Sequence, residues 1–199
     1  KLVAQFPASS DSGKMPLTRI TKLDYQPRSG DKFVLDLRGK LYKLQNDIPV
    51  VYMDIKALLP KFINEPGLAT GFGSFAFHPD FFKNGLLYTA HSEPAHTAKA
   101  DFPIPDSIKT TLQWVVTEWK TKSPGSVPFT GEGREFLRID MVSGIHGMQE
   151  ITFNPYSKRG DKDYGLLYIG IGDGGCVENG YGFLAHNKEN LWGTIIRID

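Results

Sequence analysis

One two-part phrase occurs three times in this chain, and a repeat of that kind constrains the fold more than composition does. Each copy is an apolar-x-aromatic-x-Pro strand, a loop, and a second apolar strand. The copies are Leu23-Asp24-Tyr25-Gln26-Pro27 with Lys32 to Leu37, Phe75-Ala76-Phe77-His78-Pro79 with Gly85 to Thr89, and Ile151-Thr152-Phe153-Asn154-Pro155 with Gly165 to Ile169. Proline at a strand end removes no ladder bond, so Pro27, Pro79 and Pro155 punctuate strands without breaking them. Those prolines lie 52 and then 76 residues apart. A four-stranded propeller blade takes roughly 40–50 residues, so the spacing fits blades, the second with an enlarged loop.

The predicted fold class is therefore all-β, a β-propeller, with this chain supplying about three four-stranded blades. Residues 1–19, with Ser9, Ser10, Asp11, Ser12 and Gly13, read as a loose lead-in. The blades are expected over about 20–60, 70–140 and 147–199. Predicted strands are 20–26, 32–37, 40–45 and 49–54, then 73–78, 85–91, 111–120 and 134–139, then 149–154, 165–171 and 193–198. The segment from Glu93 to about Lys109 has no periodicity and reads as a functional or mobile insertion. Closure of a propeller takes typically four to eight blades. Three blades imply that a second chain or a further segment supplies the remainder.

Composition excludes several classes. Hydrophobic residues make up 40% of 199, with 21 Gly and 13 Pro, which suits a turn-rich globular chain. A net charge of +1, without a basic run interleaved with aromatics, gives no pull toward nucleic acid. No stretch approaches the roughly 18 apolar residues needed for a membrane span. The single Cys176 precludes an internal disulfide and a Cys-based zinc site, and reads as a small buried residue. The start at Lys1 is compatible with a processed secreted protein or a trimmed chain.

Four segments in register resemble the soluble quinoprotein glucose, aldose sugar and sorbosone dehydrogenases. They are Phe75 to Phe81 with Asn84 to Tyr88, Gly144-Ile145-His146-Gly147 leading to Ile151-Thr152-Phe153, Leu167 to Gly175, and Leu191 to Asp199. The resemblance spans residues 20–199 and implies a β-propeller of the six-bladed type, of which this chain matches the N-terminal half. It implies oxidation of a sugar hydroxyl by hydride transfer to pyrroloquinoline quinone (PQQ), with calcium holding the quinone and a periplasmic or secreted setting. It places the catalytic general base at His146. A neutral imidazole titrating near working pH suits that role. Most contacts to PQQ and calcium would lie outside this chain, and no metal ligand is assigned within it.

The departures from the family pattern have consequences. Ala69 stands where the family often has Gln, and Gly147-Met148-Gln149-Glu150 is bulkier and more acidic than the family's run. Glu178 falls where some members place a Gln, and is the one cofactor-binding candidate here. These departures motivate an alternative, a non-catalytic propeller that binds a carbohydrate or protein partner. A third reading, a metal-dependent lactone hydrolase, is not favoured by the four segments.

The other histidines carry less. His78 reads as a polar cap on a turn, and His91 and His96 as solvated loop side chains rather than metal ligands. His186 is a candidate for the same mouth as His146. Gly172-Asp173-Gly174-Gly175 reads as a tight turn in which Asp173 bonds backbone amides. Trp114 and Trp119 should face opposite sides of one strand, one in the core and the other partly exposed.

Overall fold

The computed structural model describes residues 2–10, 13, 15–67 and 69–199. Lys1, Asp11, Ser12 and Lys14 of the predicted lead-in lie outside the described residues. Three antiparallel sheets follow one another along the chain. The first contains β1 (Ile20–Tyr25), β2 (Lys32–Asp36), β3 (Lys40–Gln45) and β4 (Ile48–Asp54) in sequential order. A one-turn helix, α1 (Ile55–Leu58), leads away from it. The second contains β5 (Phe72–Phe77), β6 (Leu86–Pro94), β7 (Leu112–Lys120) and β8 (Glu132–Met141), with α2 (Phe81–Asn84) between its first two strands. The third has three strands among the described residues, β9 (Glu150–Phe153), β10 (Leu167–Ile171) and β11 (Thr194–Ile198), at the three predicted positions and one fewer than a four-stranded blade, with α3 (Gly182–Ala185) before the last. Three such meanders make the chain all-β, and each runs as a propeller blade does.

The middle sheet is covered on both faces. On one side Trp114, Val116 and Ile139 pack with Met148, just before β9, and with Ile151 and Ile169 of the third sheet. On the other, Trp119, Phe75 and Leu87 pack with Phe33, Leu41 and Tyr52 of the first. The two tryptophans do face opposite sides, but the expectation that one is partly exposed fails: Trp114 is 1% and Trp119 3% exposed. A strand between two neighbouring blades has no solvent face, so odd spacing puts each indole into a different core. The polar edge of Trp119 is satisfied, Nε1 donating to Thr89 Oγ1 over 2.8 Å.

The strands β1, β5 and β9 converge. Lys22 on β1 reaches Ser74 Oγ on β5 (3.1 Å), the Ile151 carbonyl on β9 (3.0 Å) and Glu150 Oε1 (2.5 Å). At the opposite ends of these strands Tyr25, Phe77, Phe153 and the three repeat prolines surround a cleft of about 470 Å³. There Asp80, after β5, takes Arg28 from the first sheet's turn (2.7 Å) and Arg159 from the third sheet's loop (2.5 Å). One carboxylate thus ties loops of all three sheets. The repeated phrase builds this end of the molecule.

The insertion is ordered structure. Its Phe102 forms a parallel bridge with Ile139, Asp101 N–H donates to the Arg138 carbonyl, and Ile104 and Ile108 are buried. It therefore covers the edge of β8, the kind of edge that otherwise invites pairing with another chain. His91 corrects a second expectation. Because β6 continues to Pro94, His91 belongs to the strand and is 1% exposed, on the same side of β6 as Leu87 and Thr89. Its Nε2 lies 3.3 Å from Glu93 Oε1, and Arg138 donates to Glu93 Oε2 over 2.8 Å. Burial holds His91 below its ordinary pKa and therefore neutral. Burial pushes Glu93 upward, but His91 and Arg138 outweigh it and bring the carboxyl to about 2.

Candidate active site

His146 sits on the loop entering β9, and two loops zipped together hold it there. The His146 carbonyl accepts from Gly174 N–H (3.0 Å), the Gly147 carbonyl from Gly172 N–H (3.1 Å), and the Gly174 carbonyl from Ser143 N–H (2.9 Å). This register needs glycine at Gly172, where a Cβ would lie 2.0 Å from the His146 carbonyl oxygen. At Gly147 a Cβ would lie 2.0 Å from Trp114 Nε1, so the loop presses directly on the core. His146 itself has φ of 50°, a left-handed conformation uncommon for a non-glycine residue. Backbone strain of this sort persists only where the surroundings over-determine it.

The side chain is half exposed and oriented. His146 Nδ1 is 2.8 Å from Asp173 Oδ1 and 3.4 Å from Glu178 Oε1. Among the described residues no group bonds to its Nε2, which leaves that nitrogen toward solvent. Asp173 is itself anchored, its Oδ1 accepting from Gly175 N–H (3.3 Å) and its Oδ2 from Val177 N–H (3.0 Å). Partial burial pushes the Asp173 carboxyl upward, but the Val177 and Gly175 amides and His146 outweigh it and hold it below the usual value. An ionised Asp173 accepts Nδ1–H, which fixes the neutral ring as the tautomer with its lone pair on Nε2. The arrangement can take a proton at Nε2 and stabilise the resulting imidazolium through Asp173.

The two departures beside this loop acquire partners. Ala69 contributes its carbonyl, which accepts from Gln149 Nε2 over 3.0 Å. The negative charge of Glu150 is matched by Lys22. The expected Asx-type turn at Asp173 is present, yet the same carboxylate also holds His146, a partnership 27 residues apart that sequence reading missed. Its available signal was the short Gly-flanked Asp itself. Glu178 does join His146. His186 does not: it is exposed after α3 and makes no hydrogen bond or ion pair to the trio. His78 caps its turn as expected, its Nδ1 accepting from Asp80 N–H at 2.9 Å. His96 is exposed and belongs to no ligand cluster among the described residues. Cys176 is fully buried, and burial followed by the Asp173 and Glu178 charges pushes its thiol up to about 11.

Comparison with known proteins places this geometry on a fold. No family model matches the chain. It is 30% identical over 157 residues to the HIPL2 protein of Arabidopsis thaliana and 28% identical over 152 residues to the HIPL1 protein of the same plant. Those matches cover 65% of this chain and 20% and 21% of the relatives, so the chain spans about a fifth of their length. Among solved structures, it resembles a putative oxidoreductase (glucose dehydrogenase) of Thermus thermophilus, with a TM-score of 0.56 and 17% identity over 91% of this chain and 46% of that one. It also resembles the soluble aldose sugar dehydrogenase of Escherichia coli in its apo form, with a TM-score of 0.59 and 15% identity over 90% and 43%. At these identities the likeness establishes the fold alone. The chain has the β-propeller architecture of the sugar dehydrogenases, over somewhat less than half of their length. Among the described residues no helix is long and apolar enough to cross a membrane.

Proposed function

We propose that this chain carries the proton-accepting half of a sugar-oxidising site of the quinoprotein type. The observation that carries the reading is the His146–Asp173 pair, with Nδ1 fixed at 2.8 Å and Nε2 open, at the mouth formed by the loops entering β9 and leaving β10. In this reading PQQ, held with calcium, supplies the hydride acceptor when bound. The residues present fit the base and not the grip on the cofactor. The charged groups in contact with His146 are the carboxylates Asp173 and Glu178, and Lys22 at the converging strands is paired with Glu150. A quinone bearing carboxylates needs cationic partners, which further blades would have to provide.

Within the chain, a sugar hydroxyl donates its hydrogen bond to Nε2. As hydride leaves the carbinol carbon, the hydroxyl proton passes to Nε2, and the charge on the ring is balanced by ionised Asp173. General-base assistance of this kind contributes typically about 10²–10⁴-fold. Glu178, with its carboxylate 3.4 Å from the ring, disfavours an anionic substrate, which suits a neutral aldose. The test is dye-linked turnover by the full-length protein supplied with PQQ and calcium across a panel of aldoses. Turnover that requires PQQ supports the reading, and its absence with every aldose overturns it. The anionic surroundings favour one second reading, a propeller that binds a carbohydrate or protein without redox chemistry. Micromolar PQQ binding would count against it.

A further inference from the structure

We propose that His146, Asp173 and Glu178 form a site for a divalent transition-metal ion of the zinc type, and that the ion silences the base. The site is built from three different donors. The imidazole Nδ1 and one oxygen from each carboxylate all lie within 4.8 Å of one another. Zinc bonds of about 2.0–2.2 Å in tetrahedral geometry put neighbouring ligand atoms roughly 3.3–3.5 Å apart. The Nδ1–Glu178 separation is already 3.4 Å, and the Nδ1–Asp173 separation of 2.8 Å needs a small opening.

Supporting contacts suit a ligand set. The Val177 and Gly175 amides aim the Asp173 carboxylate, the outer-shell support that fixes ligand orientation in metal sites. His146 and Glu178 are about half exposed, so water can complete a fourth position and the ion can enter from solvent. A ring nitrogen in the donor set selects against calcium and magnesium, which take oxygen ligands.

The chemical consequence follows from the ring. Proton abstraction needs Nδ1–H donated to Asp173 and a lone pair on Nε2. A metal on Nδ1 leaves the neutral imidazole with its proton on Nε2, the wrong tautomer for a base. Zinc would therefore inhibit by occupying the orienting side of His146 rather than the substrate side. This consequence rests on the sugar-oxidation reading; the binding of the ion does not.

The experiment titrates full-length protein with Zn²⁺ by calorimetry, and with Co²⁺ by its visible absorption, alongside His146→Ala and Glu178→Gln. Both substituted side chains are exposed enough to leave the fold intact, and circular dichroism checks this. One equivalent of Zn²⁺ with tetrahedral Co²⁺ absorption is expected. Each variant should weaken zinc at least about 10-fold, the range typical for changes to a metal's ligand environment. No stoichiometric uptake, or variants that bind as the native protein does, overturns the site. In turnover assays zinc should inhibit the native protein reversibly and spare Glu178→Gln. Zinc uptake without any sugar oxidation would sink the proposed activity and leave the metal site standing. Turnover untouched by saturating zinc would overturn the silencing.

Discussion

Asp80→Asn tests whether one carboxylate holds the three sheets together at the repeat end. The substitution keeps the shape and removes the charge that bonds Arg28 over 2.7 Å and Arg159 over 2.5 Å. The Asp80 side chain is 12% exposed, but the arginines are 47% and 55% exposed and can turn to water when released. No charge is stranded, so each pair is discounted to the exposed range, on the order of 0.5–1 kcal/mol, about 1–2 kcal/mol together. For a chain of this size that corresponds to roughly 2–8 °C in thermal midpoint. The pH dependence identifies the cause. Partial burial raises the Asp80 carboxyl, but Arg159, Tyr164 and Arg28 outweigh it and hold it below its ordinary value. A depressed folded pKa contributes stability that is present above the unfolded value, about 3.9, and is lost as pH falls through the folded one. Thermal melts should show a constant gap between native and variant at about pH 6–8 that begins to narrow near about pH 4 and is lost only once pH falls below the depressed folded value. Equal midpoints at neutral pH, or a gap that does not narrow as pH falls below the ordinary carboxylate range, would refute the clasp.

Other consequences concern the loop and its core. Gly147→Ala drives a methyl toward Trp114 Nε1. It should cost about 1–3 kcal/mol in denaturant unfolding, whereas the same change at Gly125, where nothing lies within 4 Å and φ is not positive, displaces no neighbour and should cost less. Cys176, fully buried and with its thiol raised to about 11, should react with thiol reagents in mild alkali at the rate of unfolding rather than as a free thiol. Prompt labelling of the native protein would contradict that burial.

The sheets were largely legible because their cause is local. Alternation, Gly-marked turns and the strand-ending prolines place every strand of the first two sheets within a few residues. Local signals failed where a neighbouring sheet decided the environment. One of Trp114 and Trp119 was expected partly exposed, but neighbouring blades cover both. His91 was expected in solvent, but pairing with Val115 and Phe72 carries β6 past it. In the candidate site the His could be found from its place before β9, and Glu178 from its register. Asp173 and Lys22 could not be assigned partners. Their contacts with His146 and Glu150 span 27 and 128 residues; the pairing of β9 with β10 brings the first together and the convergence of β1 with β9 the second. The Asp80 clasp was invisible for the same reason, since Arg159 lies 79 residues away.

The proton-acceptor role of His146 is tested most directly by His146→Ala in the full-length protein, assayed for PQQ-dependent aldose oxidation alongside PQQ affinity. The expected result is a fall in kcat of about 10²–10⁴-fold with PQQ binding unchanged and no change in thermal midpoint, because the side chain is half exposed. Turnover equal to the native protein's in a folded, PQQ-loaded His146→Ala variant would contradict the account.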